Sequence, residues 1–167
     1  MLLNAYRRLG LIAFAACAAG SFAVVHAQGH AHVIQTPKEV QWGPAPPFIP
    51  AGAQIAVLAG DPTKAVPYTV KLKFPANYRI AAHSHPTDEH VVVVSGALTF
   101  GMGEKLTTTG ANKTLPVGGF ALMPANMNHF AYTTGETTIV LYGQGPVEFK
   151  YVNPSDDPRQ AKPTATK

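Results

Sequence analysis

Between Gln54 and Val152 the chain is cut into short apolar runs by turn residues. The runs are QIAVLAG (54–60), VPYTVKLKF (66–74), YRIAAHSH (78–85), EHVVVVSGALTFGM (89–102), KTLPVGGFALMP (113–124), NHFAYTT (128–134) and TTIVLYGQGPVEFKYV (137–152). Gly60-Asp61-Pro62, Ser95-Gly96, Gly118-Gly119 and Thr134-Gly135 punctuate them. β-Branched and aromatic runs at this spacing predict an all-β sandwich or barrel. The composition agrees: 15 Gly, 15 Pro and 13% charged residues leave little material for long helices. No helix of ten or more residues is expected after residue 28.

The ends read differently. Residues 1–27 carry Arg7 and Arg8, an uncharged stretch from Leu9 to Val25, and small residues before a cleavage point at Ala27. This is the pattern of a secretory signal peptide, so the mature protein is expected to be periplasmic or secreted. Residues 28–53 hold Pro44, Pro46, Pro47 and Pro50, which forbid a helix or a central strand. They predict an extended arm lying over the domain, anchored by Trp42, Phe48 and Ile49. A single domain is expected over 54–152, and a polar, disordered tail over 153–167.

Cleavage removes both N-terminal arginines and the single cysteine. Eleven basic and nine acidic residues then remain, so the net charge falls from +4 to +2. No basic patch points to nucleic acid, no disulfide can form, and no internal 20-residue apolar run suggests a membrane span.

The chemistry concentrates in HSHPTDEHVVVVSG (83–96), which holds three of the chain's seven histidines. Residues two apart in a strand share a face. His83, His85 and Glu89 can therefore point inward together while His90 points away. Two imidazoles and a carboxylate form most of a site for one divalent transition metal, Fe, Mn, Ni, Cu or Zn. His129 lies 40 residues after Glu89, at the start of another strand-like run. Val91 and Val93 share the face of Glu89. Val92 and Val94 face outward, and such an apolar outer face needs a cover, either the arm or a second subunit in a homodimer.

These residues resemble the cupin superfamily. The stretch 83–96 is similar to the first cupin motif: His-x-His, three residues, Glu, six residues, Gly. GGFALMPANMNH (118–129) resembles the second: Gly118, five residues, Pro124, then His129. The resemblance covers roughly residues 54–152. It implies a double-stranded β-helix, the cupin jelly-roll barrel, with the metal held inside by His83, His85, Glu89 and His129. Asn77 and Asn126 stand where the motifs have Gly, and Asn replaces Gly best at positive φ. Thr133 stands where the family often has Asn, which bears on pocket lining more than on metal binding.

Met123 and Met127 read as packing residues. Gln28-Gly29-His30 would form a square-planar nitrogen site for copper or nickel if cleavage exposes it. The expected function is a metal-dependent oxidoreductase of dioxygenase type on a small organic substrate. The alternative is a non-catalytic cupin binding a small molecule or metal. The sequence assigns no catalytic acid or base.

Overall fold

A computed structural model describes residues 32–160. The expected signal peptide, the Gln28-Gly29-His30 terminus and residues 161–167 lie outside the described residues. Eleven strands follow in order: β1 Gly43–Pro44, β2 Gln54–Gly60, β3 Pro67–Phe74, β4 Arg79–Ser84, β5 Glu89–Ser95, β6 Ala97–Met102, β7 Lys113–Pro116, β8 Phe120–Met123, β9 His129–Tyr132, β10 Thr137–Gln144 and β11 Lys150–Tyr151. They form two sheets, β1-β2-β3-β10-β5-β8 and β11-β4-β9-β6-β7, and every pairing is antiparallel. This is the all-β architecture that the turn spacing predicts, in the jelly-roll form that the cupin resemblance implies. Among the described residues the helical segments are two three-residue 3-10 turns, Pro154–Asp156 and Pro158–Gln160.

Period-two burial builds the interior. In β3, Tyr68, Val70, Leu72 and Phe74 are buried while their odd-numbered neighbours are not. In β5, Glu89, Val91 and Val93 point inward. The two sheets face each other across one core that includes Phe74, Ile80, Leu98, Phe100, Ile139 and Leu141.

Two turns need left-handed backbone, and both carry asparagine. Asn77 has φ 59° and Asn126 has φ 62°, so each supplies the conformation that glycine gives in the motif. Thr133 braces the first turn. Its hydroxyl donates to the Pro75 carbonyl at 2.8 Å and accepts from the Tyr78 amide at 3.0 Å. It lies off the cavity, so its departure from the cupin pattern alters a turn and not the pocket wall.

The arm is extended and anchored as its prolines require. Ile49 is buried, Phe48 stacks on Phe149 at 5.2 Å between ring centroids, and the Lys73 ammonium lies 4.9 Å from the centre of the Trp42 ring. Two tyrosine hydroxyls hold the arm: Tyr151 donates to the Phe48 carbonyl at 2.8 Å, and Tyr78 to that of Pro50.

Of the two covers expected for the outer valines, the arm and a second subunit, the arm is not the one. Its β1 pairs with β2, at the sheet edge opposite β8, and Val94 remains 42% exposed. The tail is ordered as far as Gln160, because Asn153 caps the first turn and Arg159 pairs with Asp157 and donates to the Phe149 carbonyl at 3.0 Å. These local polar contacts offset the low apolar content from which disorder was expected.

Candidate metal centre

His83 and His85 lie at the end of β4 and just beyond it, Glu89 opens β5, and His129 opens β9. The first link between them is pairing: His83 stands opposite His129 in the β4–β9 ladder. The second is a lacing of the two motif loops. The Asn126 amide donates to the His85 carbonyl at 2.7 Å, and the Ala125 amide to Asp88 Oδ1 at 2.8 Å. The left-handed Asn126 is therefore part of the turn that presents His129 beside His85.

One ring nitrogen from each of His83, His85 and His129 lies within 4.8 Å of the others, and all three residues are buried. Glu89 joins them. Its carboxylate oxygens lie 3.6 Å from His85 Nε2 and 3.5 Å from His129 Nε2. Two donors at about 2.1 Å from a common ion are about 3.0–3.4 Å apart at octahedral or tetrahedral angles, so these separations suit shared ligation after a small adjustment.

The other ring nitrogens are spoken for by the main chain. His83 Nδ1 is 2.7 Å from the Ala81 carbonyl, His85 Nδ1 is 2.8 Å from that of Glu148, and His129 Nδ1 is 3.0 Å from that of Met127. Only a protonated Nδ1 can donate to a carbonyl, which leaves each neutral ring with a lone pair on Nε2. The Nε2 atoms of His85 and His129 are buried without a hydrogen-bond partner among the described residues. Buried unpaired acceptors held in place by backbone donors are what a ligating set requires, and the residues fit a divalent transition metal.

Electrostatics leave the set in the charge states that a metal site needs. Burial, then the neighbouring His129 and His85, lower the His83 pKa to about 3, so the ring is neutral at pH 7. Burial also lowers that of His85, against the charge of Glu89. Burial opposes the Glu89 charge, but once acid protonates the facing rings, His129 foremost and then His85 and His83, they favour the carboxylate and hold its pKa well below the usual range. Phe149 stacks on His83 with centroids 4.4 Å apart and planes 11° from parallel, and it meets the edge of His85.

The four residues line one cavity of about 350 Å³. Phe48, Ile49, Val70, Leu72, Phe100 and Leu141 form part of its apolar wall, and Phe48 belongs to the arm. The lining contains Asp88, Glu89 and Glu148 but no lysine or arginine. Tyr68 also lines it, with its phenol pushed up in pKa by burial and then by the charge of Glu89.

The residues that the sequence set apart from the site lie outside it, although Met127, expected to pack, does not pack. His90 faces outward and stacks on Tyr142, with centroids 4.6 Å apart. Met123 is in the core and Met127 is 43% exposed. Sequence reasoning missed Tyr68, Phe149 and the carbonyls that orient the rings. The alternation of β3 does place Tyr68 on the inner face, but its neighbour across the sheet depends on β10.

Comparison with known proteins follows the same lines. Residues 24–150 match the family described as Domain of unknown function (DUF4437). No curated protein matches the chain. Among solved structures it is similar to the polyketide cyclase RemF from Streptomyces resistomycificus, with TM-score 0.59 and 14% identity over 77% of this chain and 90% of that one. A candidate acetylacetone dioxygenase from Methylibium petroleiphilum PM1 has TM-score 0.57 and 20% identity over 77% and 85%. An RmlC-like cupin from Shewanella frigidimarina has TM-score 0.54 and 16% identity over 69% and 92%. At these identities the likeness speaks for the fold.

Proposed function

The chain belongs to the DUF4437 family, a cupin-like domain of the cupin superfamily, and from that premise we propose that it is a periplasmic or secreted metal-dependent oxidoreductase of dioxygenase type. The observation that carries the reading is the pair of buried, partnerless Nε2 atoms on His85 and His129, fixed by their Nδ1 bonds at one end of an apolar cavity. His83, His85, Glu89 and His129 would hold one divalent ion. Bound there, it would act as Lewis acid and template with one or two positions open to small molecules.

The chain's own residues define the rest. Glu89 supplies the sole anionic protein ligand and so sets the charge of the site. The three backbone carbonyls fix ring orientation. The apolar wall excludes water and takes up the body of the substrate. At about 350 Å³ the cavity stands at the small end of the range of about 300–1,000 Å³ for small-molecule sites. Its three carboxylates and lack of lysine or arginine disfavour phosphorylated or multiply carboxylated substrates. A small, largely apolar molecule with one oxygen-bearing end fits best.

The same apolar lining favours a second reading, a non-catalytic protein that captures such a molecule. Metal analysis of the purified mature protein, followed by an oxygen-consumption screen over small enolisable and aromatic compounds, separates the two. Turnover that disappears in His83→Ala supports the oxidoreductase. Ligand binding without turnover in any metal form replaces it with the binding protein.

A further inference from the structure

The cavity holds one buried polar side chain that the metal centre does not use. Tyr68 is 7% exposed and lines the cavity. The hydroxyls of Tyr78 and Tyr151 donate to arm carbonyls, whereas that of Tyr68 makes no hydrogen bond to another described residue and its oxygen keeps some accessible surface, as a group facing the cavity does. The remaining polar lining residues, Thr63, Thr87, Asp88 and Glu148, stand at the half-buried or exposed rim. Thr63 bonds to Asp61, Thr87 to the Gln144 carbonyl, and Asp88 to the Ala125 amide.

Strand register explains where this hydroxyl goes. Tyr68 pairs with Gly143 in β10, and Gly143 pairs on its other side with Glu89 in β5. The three residues form one row across three neighbouring strands. The middle member has no side chain, so a gap opens on the inner face between the tyrosine and the metal ligand. A Cβ placed on Gly143 would lie 3.4 Å from the Tyr68 hydroxyl oxygen and 2.9 Å from the Asp88 carbonyl. The tyrosine therefore leans over Gly143, toward the row position of Glu89.

We propose that Tyr68 is a substrate-positioning residue, whose hydroxyl reaches across Gly143 to donate a hydrogen bond to an oxygen at the polar end of the substrate. This rests on the reading of the cavity as a small-molecule site. A neutral phenol is a good donor, and in an apolar enclosure a donor without a protein acceptor selects for a ligand that carries one. Gly143 acts through the tyrosine, by leaving the space it occupies.

The test uses mature protein loaded with Co(II), and benzoylacetone as probe, a compound with an oxygen pair on an apolar body. Naphthalene, which has no oxygen, is the control. Tyr68→Phe is expected to keep the wild-type cobalt content and naphthalene affinity while weakening benzoylacetone about tenfold, the usual scale of one lost hydrogen bond. Unchanged benzoylacetone affinity in Tyr68→Phe overturns the proposal. So does an equal loss for both probes, which would give the tyrosine a packing role alone. Should the wild type bind cobalt and naphthalene but not benzoylacetone, the positioning role falls while the cavity stands as an apolar binding site. If it binds no cobalt, the metal-centre reading falls with it. Gly143→Ala supplies a second variant. It should lose benzoylacetone affinity by crowding Tyr68 and the Asp88 carbonyl, with cobalt content kept, and wild-type affinity in that variant would also count against the gap.

Discussion

Loading the metal-free protein with a divalent transition ion is expected to raise its thermal midpoint by about 10 °C. The perturbation acts on two atoms, the buried Nε2 of His85 and of His129, which have no hydrogen-bond partner among the described residues. Leaving a buried polar group unpaired costs about 1–3 kcal/mol, so the metal-free fold carries a handicap of about 2–6 kcal/mol at this site. Ligation removes it. With free ion about a hundredfold above its dissociation constant, linkage adds about 2.7 kcal/mol to the stability of the folded state. In a domain of this size each kcal/mol moves the midpoint by about 4 °C, which gives the expected shift. Scanning calorimetry of chelator-stripped protein, with ion content measured in parallel, checks it. The same experiment on His129→Ala should show no shift. The reasoning is refuted if one ion binds per chain and the midpoint does not move, or if His129→Ala gains as much as the wild type.

Further outcomes follow from the same features. In Glu89→Gln the loss of the carboxylate's charge should weaken metal binding at least tenfold while leaving the circular dichroism spectrum unchanged; full affinity would show that the carboxylate is no ligand. Asn77→Ala should cost about 1 kcal/mol in urea unfolding because of its left-handed backbone, and Asn77→Gly should stay within about 0.5 kcal/mol of wild type. The His83 pKa is lowered to about 3, so the unfolded chain binds that proton more readily than the folded one. Stability of the metal-free protein should accordingly be complete above pH of about 6.5 and fall as the pH drops toward 3, and an acid titration with no loss in that window would contradict the buried neutral ring. Val94, Phe120 and Leu122 are exposed on the adjoining strands β5 and β8, and the arm joins the opposite sheet edge, so a dimer is expected to cover this face; light scattering should give a dimer with and without residues 28–50, and a monomer in both would count against it.

The strands were legible because their signals are local. Alternation in PYTVKLKF marks its inner face without knowledge of any partner, and the same parity placed His83, His85 and Glu89 together. Asn77 and Asn126 were legible as turns because few residues other than glycine tolerate their backbone. What could not be read depends on pairings between distant segments. Nothing in the identity of Glu148 announces that its carbonyl orients His85, 63 residues earlier. The row Tyr68–Gly143–Glu89 exists only once β10 lies between β3 and β5. Phe149 beside His83 follows from the return of β11 along β4. The arm's failure to cover Val94 is also a matter of which sheet edge it joins, and its prolines carry no information about that.

The three imidazoles are oriented by carbonyls at Ala81, Met127 and Glu148, and a carbonyl is present whatever side chain the position bears. The steering of the ligands is thus invisible to mutation at those three places so long as the backbone keeps its path. The exposed Met127 side chain is free to drift, whereas Ala81 packs against the core and Glu148 lines the cavity, and selection on ring geometry falls on whatever shapes the main chain, such as the left-handed asparagine before Met127. A directed-evolution campaign could therefore randomise position 127 to retune solubility, and position 148 to retune access to the cavity, while the tautomers of the site stay as they are.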